Sequence, residues 1–240
     1  MTKRLLLLSN SRNAGQPFLA HAKGEIEGLL GSRGGKALFV PYAGVTTTFD
    51  LYAQLAREHF QQMSYDIESV HDIKNPKRAM ENATAIIVGG GNTFHLLHHL
   101  YENDLLDVIR ERVNAGIPYL GWSAGSNVAC PTIMTTNDMP IIRPRDFAAL
   151  DLVSFQINPH YLDAHPSGHA GETREQRLLE YIEVNPDVFV LGLREGTMLK
   201  IDGPSVRLIG DKPVRVFRRG SDPTEHDPGP LEFLRGSSNP

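Results

Sequence analysis

Short apolar runs alternate with amphipathic stretches through the first half of the chain. Residues 4–8, 37–40, 65–70, 85–88 and 119–121 are the apolar runs, and their length predicts strands. The run 85–88 has no polar member, the pattern of a strand buried on both faces. The stretches between them carry helical periodicity. They predict helices over 18–30, stopped near Gly31, over 48–61, capped by Thr47 or Thr48, and over 94–115, with a break near Asn103. Strands separated by helix-length segments predict an α/β fold, a mostly parallel sheet with helices on both faces. A strand-like run follows at 152–157. Beyond it the spacing tightens: 188–193, 198–201, 206–209 and 214–217 are close together, with Gly, Pro and Asp between them. That spacing predicts hairpins, antiparallel additions to the same sheet. There is no internal repeat and no linker, so residues 1–221 are expected to form a single α/β domain. Residues 222–240, rich in Pro, Gly and Ser, are expected to be a tail, poorly ordered beyond Leu234.

One turn in this pattern carries candidate chemistry. Gly121-Trp122-Ser123-Ala124-Gly125 follows the run Ile117-Pro118-Tyr119-Leu120. A G-x-S-x-G segment between a buried strand and a helix places its serine on a sharp, strained turn at the sheet's edge, with glycines where the backbone comes too close for side chains. A nucleophilic serine needs a base, an orienting acid and an oxyanion hole. In an open parallel sheet these sit beyond the carboxyl ends of the strands. Asn158-Pro159-His160 lies at one such end, with proline stiffening the backbone before the candidate base His160. Arg194-Glu195-Gly196 lies at another, and Glu195 could hold the far nitrogen of His160. Strand-end geometry favours Glu195, but Asp138 is a competing acid. The amide of Ala124 is a natural oxyanion donor. Gly89-Gly90-Gly91-Asn92 leaves further amides uncovered, those of Gly90 and Gly91, ahead of a helix whose dipole favours an anion. The same loop lacks the glycine spacing and the lysine of nucleotide-binding loops.

Composition narrows the class. At 240 residues and 40% hydrophobic content the chain can bury one large core. A net charge of −4 with no basic stripe argues against nucleic acid. Cys130 is the only cysteine, so no intramolecular disulfide can form. The apolar start is too short for a signal segment and no run has the length of a membrane span, so a soluble, cytoplasmic protein without a membrane partner is expected. His95, His98 and His99 share a helix face, but no nearby carboxylate completes a metal site. His165 and His169 follow the His160 loop. No metal and no cofactor is expected.

A resemblance now enters. Ser9-Asn10-Ser11, Pro41-Tyr42-Ala43-Gly44-Val45-Thr46, Val88-Gly89-Gly90-Gly91-Asn92-Thr93-Phe94, the Ser123 turn, Thr136-Asn137-Asp138-Met139-Pro140, Gln156-Ile157-Asn158-Pro159-His160 and Gly171-Glu172-Thr173-Arg174-Glu175-Gln176-Arg177 occur in unbroken order. Over roughly residues 4 to 200 they resemble the bacterial peptidase E family, the α-aspartyl dipeptidases of the S51 serine peptidases, and the likeness fades after about Lys212. The resemblance implies a fold related to class I glutamine amidotransferases (flavodoxin-like), with serine where those enzymes carry cysteine. It implies hydrolysis of dipeptides with an N-terminal aspartate, Ser123 as nucleophile and His160 as base, and leaves the acid open between Asp138 and Glu195.

An aspartyl substrate brings a carboxylate that is costly to bury unpaired. A guanidinium fork suits it, and Arg174 is the candidate reader, fixed in a first helical turn by a Thr173 cap, with Asn92 also at the site. Arg177 and Arg194 are weaker alternatives. Other readings remain: a cyanophycinase-like hydrolase of β-aspartyl peptides, or a non-catalytic small-molecule binder using the 89–92 loop. Monomer and homodimer are both compatible with the sequence.

Overall fold

The computed structural model describes residues 2–31, 36–163 and 170–234. The first strand sets the architecture. In β1 (Arg4–Leu8), Leu5 and Leu7 enter one core while Leu6 and Leu8 enter another. A run without polar positions can do this only when both sheet faces are covered. β4 (Ala85–Val88) divides likewise, Ile86 and Val88 to the first core and Ala85 and Ile87 to the second. α1 (Lys23–Leu30) and α2 (Phe49–Gln61) cover the face of Leu6 and Leu8. The opposite face is covered by α3 (Pro76–Glu81), α4 (Thr93–Glu102), α5 (Leu105–Asn114) and α6 (Ala124–Asn127).

β2 (Ala37–Val40), β3 (Ile67–Ser69) and β5 (Tyr119–Trp122) complete a parallel half ordered β1-β5-β4-β2-β3. β8 (Met198–Asp202) pairs antiparallel with β1, with Leu5 opposite Ile201 and Leu7 opposite Leu199. β9 (Ser205–Ile209) and β12 (Gly229–Pro230) extend that edge.

The later strands correct the one-sheet expectation. β6 (Gln156–Pro159) and β7 (Val190–Leu193) pair in parallel, and β10 (Val214–Phe217) and β11 (Thr224–His226) add antiparallel, giving a separate four-stranded sheet. Ile157, Leu191, Leu193, Val214 and Val216 join the core under α4 and α5. α7 (Arg174–Val184) packs Leu178 and Ile182 on Val190 and Phe217 at the other face. Alternation within one strand cannot say which sheet the strand joins, which is why the periodicity missed the division.

Other expectations shift locally. The predicted strand at 65–70 shortens to β3 and turns into a 3-10 segment, Val70–Asp72. The predicted helix at 18–30 has a 3-10 entry, Ala20–Ala22, before α1. The 94–115 helix breaks where expected, with Asp104 in a left-handed conformation (φ 51°). The strand-like run 152–157 becomes β6 four residues later, while Leu152, Val153 and Phe155 fill the core without strand pairing. α3 was not foreseen, although Asn75 caps it and Pro76 opens it. The expected tail is partly built into the fold, since β11 pairs with β10 and β12 with β9. The last six residues, like His165 and His169, lie outside the described residues.

The Ser123 turn is held by close backbone contact. A Cβ on Gly125 would lie 2.2 Å from Val88 O, and one on Gly121 would lie 2.4 Å from Gly125 O. Gly125→Ala must push strand and helix apart and is expected to lower stability by at least ~2 kcal/mol, within the range of overpacked cores. A urea-unfolding midpoint equal to that of the parent chain would refute this account of the glycine.

Candidate active site

Four strand ends converge. β5 ends in Ser123, whose backbone is strained (φ 52°, ψ −112°) while its N–H donates to Leu8 O at 3.0 Å. Such conformations cost roughly 1–3 kcal/mol and persist only where neighbours over-determine them. β6 ends at Pro159, and His160 follows, also at positive φ (52°). β7 ends at Leu193, and Arg194 and Glu195 follow. β4 leads into the 89–92 loop.

Side chains from three of these ends form a chain. His160 Nε2 lies 2.9 Å from Ser123 Oγ, and His160 Nδ1 lies 2.7 Å from Glu195 Oε1. A carboxylate on Nδ1 selects the tautomer whose Nε2 can accept the serine proton. Ser123 and His160 are half-buried, and Glu195 is exposed.

Asp138 is elsewhere. Its Oδ2 accepts from Thr93 N at 2.7 Å, Thr93 Oγ1 at 2.6 Å and Thr136 Oγ1 at 3.1 Å, so it ties the 136–138 loop to the first turn of α4. The structure therefore brings Glu195, and not Asp138, to His160.

The glycine loop is fixed by a relay. Trp122 Nε1 donates to Tyr52 OH, and Tyr52 OH donates to Gly90 O, each at 3.0 Å. Carbonyl and amide of one planar peptide point in opposite directions, so the Gly91 N–H faces away from Tyr52. The amides of Gly91 and Ala124 have no protein acceptor among the described residues. Gly90 abuts Ser123, since a Cβ there would sit 2.9 Å from Ser123 Cβ. Gly91 adopts φ 139° and passes so close to Ala43 O that a side chain would clash. A cleft of about 420 Å³ opens beside this loop, lined by Arg12, Phe18, Val45, Leu55, Gly90 and Gly91.

Asn92 and Thr173 are both helix caps, the role expected of Thr173. Asn92 caps α4, accepting from His95 N and donating to Met139 O. Thr173 caps α7 in a reciprocal capping box with Gln176. Arg174 occupies the first position of α7, half-buried, its guanidinium only loosely placed at 3.4 Å from Asn158 Oδ1 and from His160 O. No carboxylate pairs with it among the described residues. Burial, with Arg177 nearby, lowers its pKa. Arg177 lies 4.0 Å from Glu172. Arg194 is engaged fork-on to Asp163 and Glu225, four contacts of 2.7–2.9 Å. That clamp holds Glu225 below the usual carboxylate range and Asp163 likewise.

Sequence reasoning assigned no role to Ser9 and Asn10. Ser9 Oγ donates to Leu193 O at 2.7 Å and accepts from His160 N at 2.9 Å, and Asn10 Oδ1 accepts from Gly196 N at 2.8 Å. The available signal was polar residues at the carboxyl end of an otherwise apolar strand. Cys130 is buried and burial pushes its thiol pKa up, so it is no nucleophile.

For metals, the described residues bring one group of three together, Asp50, His71 and Asp72. His95 and His99 also meet, as a pair.

Comparison with known proteins fixes the family. The model of peptidase family S51 matches residues 5–209. The chain belongs to peptidase family S51. Peptidase E of a Nostoc strain is 53% identical over 98% of this chain and 97% of its own length. Peptidase E of Shewanella amazonensis is 49% identical over 91% and 92%. Among solved structures, this peptidase resembles a putative peptidase E protein of Listeria monocytogenes, with TM-score 0.63, 21% identity and coverage of 88% and 99%. It also resembles a peptidase from an acI-B1 actinobacterium, with TM-score 0.66, 17% identity and 95% coverage of each chain. These two show the shared fold. No helix among the described residues is long and apolar enough to cross a membrane.

The two acids should separate by stability. Asp138→Ala removes three hydrogen bonds at a helix start and is expected to cost about 1–2 kcal/mol in the peptidase. Glu195→Gln alters an exposed pair and should cost below about 1 kcal/mol. Urea denaturation of both variants checks this, and equal losses would remove the distinction.

Proposed function

We propose that this peptidase is a serine-type dipeptidase acting on dipeptides with an N-terminal aspartate. The observation that carries the reading is the Ser123–His160–Glu195 chain on strained turns, beside two unengaged amides. His160 Nε2 takes the proton of Ser123 Oγ, and Oγ attacks the carbonyl of the aspartyl residue. Charge developing on that oxygen is received by the amides of Ala124 and Gly91 or Gly90. Glu195 holds the imidazolium. His160 then protonates the departing amine, and water, deprotonated by His160, releases aspartate from the acyl-enzyme.

Support for the aspartyl preference comes from Arg174. A half-buried guanidinium without a carboxylate partner, next to the His160 backbone, is poised for an incoming carboxylate. Thr173 contributes by capping the helix that holds it. Arg194, saturated by Asp163 and Glu225, has no capacity left to read substrate.

Ser123→Ala is expected to lower kcat on Asp-X dipeptides by about 10⁶-fold with the fold unchanged. Activity above a few per cent in a pure, folded variant would remove Ser123 from the mechanism. Glu195→Gln should lower kcat by roughly 10⁴-fold, while Asp138→Asn loses far less per folded molecule. The reverse order would make Asp138 the acid. Arg174→Ala should lower kcat/KM on Asp-X about 10- to 150-fold and leave Ala-X nearly unchanged. An intact preference for Asp-X over Ala-X in that variant means another residue reads the aspartate. Comparing α- with β-aspartyl dipeptides decides between this reading and a β-aspartyl hydrolase.

A further inference from the structure

We propose that His95 and His99, half-buried on α4, form a binding site for a divalent transition metal of the zinc class, separate from the Ser123 centre. The two residues are one helical turn apart, and their Nε2 atoms face each other at 3.3 Å. Two nitrogens that each lie ~2.0–2.1 Å from a tetrahedral Zn²⁺ are ~3.3–3.4 Å apart, so the observed separation is that of two ligands on one ion. It is long for a hydrogen bond between two nitrogens.

The surroundings support the assignment. His95 Nδ1 lies 2.7 Å from Tyr42 O. A carbonyl there requires the proton on Nδ1 and leaves Nε2 with its lone pair toward His99, the arrangement that orients metal-binding histidines. Phe49 packs edge-on to His99 with centroids 5.5 Å apart, and Tyr42 lies 5.3 Å from the same ring, so its rotamer is held before any ion arrives. The remaining coordination positions fall to water, which suits a reversible site. The Asp50, His71 and Asp72 group differs. His71 Nε2 already has a carboxylate on either side, at 3.0 and 3.1 Å, Asp72 also pairs with Arg57, and Asp50 is mostly exposed. Part of its charge is already offset by Arg57, and Nε2 of His71 is taken up by the two carboxylates.

The test uses the full chain after chelator treatment and dialysis, with Zn²⁺ alone as probe. Calorimetry is expected to give about one Zn²⁺ per chain. His95→Gln and His99→Gln should each weaken binding at least ~10-fold, and His98→Gln, on the neighbouring position, should bind as the parent does. Zn²⁺ should raise the Tm of the parent and of Ser123→Ala, but not of His99→Gln. Co²⁺ on the unmutated chain should give visible absorption of a low-coordinate nitrogen site, a readout that needs no variant to fold. The proposal is overturned if the parent binds no Zn²⁺, if Co²⁺ shows only the spectrum of the hydrated ion, if His99→Gln binds as well as the parent, or if His71→Gln alone abolishes binding.

Discussion

Ser9 is the joint on which the site depends. Ser123 sits at the end of a strand in one sheet, and His160 and Glu195 sit at strand ends of another. Nothing in either sheet's own hydrogen bonding fixes their relative position. Ser9, at the end of β1, is fully buried, and its hydroxyl joins Leu193 O of β7 to His160 N after β6. Its own N–H donates to Thr197 O. One side chain thus sets the height of the His160 turn against both sheets. Such a buried hydroxyl is expensive to leave half-satisfied, by about 1–3 kcal/mol, so the two sheets cannot slip without breaking it.

The parallel half of the fold was legible because burial on both faces forces unbroken apolar runs, as in 4–8 and 85–88. The division into two sheets was not, since β8 and β10 present similar short alternating patterns yet pair with different partners. β6 was displaced for a related reason. Gln156 and Asn158 look unsuited to a buried strand, but Asn158 donates to Thr135 O and Asn137 Oδ1. Polar positions satisfied across loops carry no periodic signal. The overlooked α3 is a different case, for its Asn-Pro start was readable and its six residues were too few to show a period.

In the site, the serine and the histidine were readable because each follows a strand and each is flanked by residues that constrain the turn, Gly121 and Gly125 in one case and Pro159 in the other. The carboxylate beside His160 was readable only as a preference. Asp138 and Glu195 are both loop carboxylates, strand-end position favoured Glu195, and the separate sheet is what puts it beside His160. Asn92 shows the converse limit. It stands where a substrate contact was expected and caps α4, and capping signals and contact signals use the same residue types.

Glu195 itself is exposed, and an exposed carboxylate is poorly held by its own packing. Its position comes from its neighbours. Arg194, little exposed, is clamped by Asp163 and Glu225 and donates to Pro213 O, while Lys212 donates to Glu195 O at 2.9 Å. Glu225 belongs to β11, in the stretch that composition marks as a tail. Arg215 joins the same group through Glu175 of α7 and Glu225. Glu195 is therefore oriented through its backbone, by a charged network that spans the strand edge and the helix carrying Arg174. Holding the loop by neighbouring ion pairs keeps one carboxylate oxygen of Glu195 on His160 while the side chain remains open to solvent.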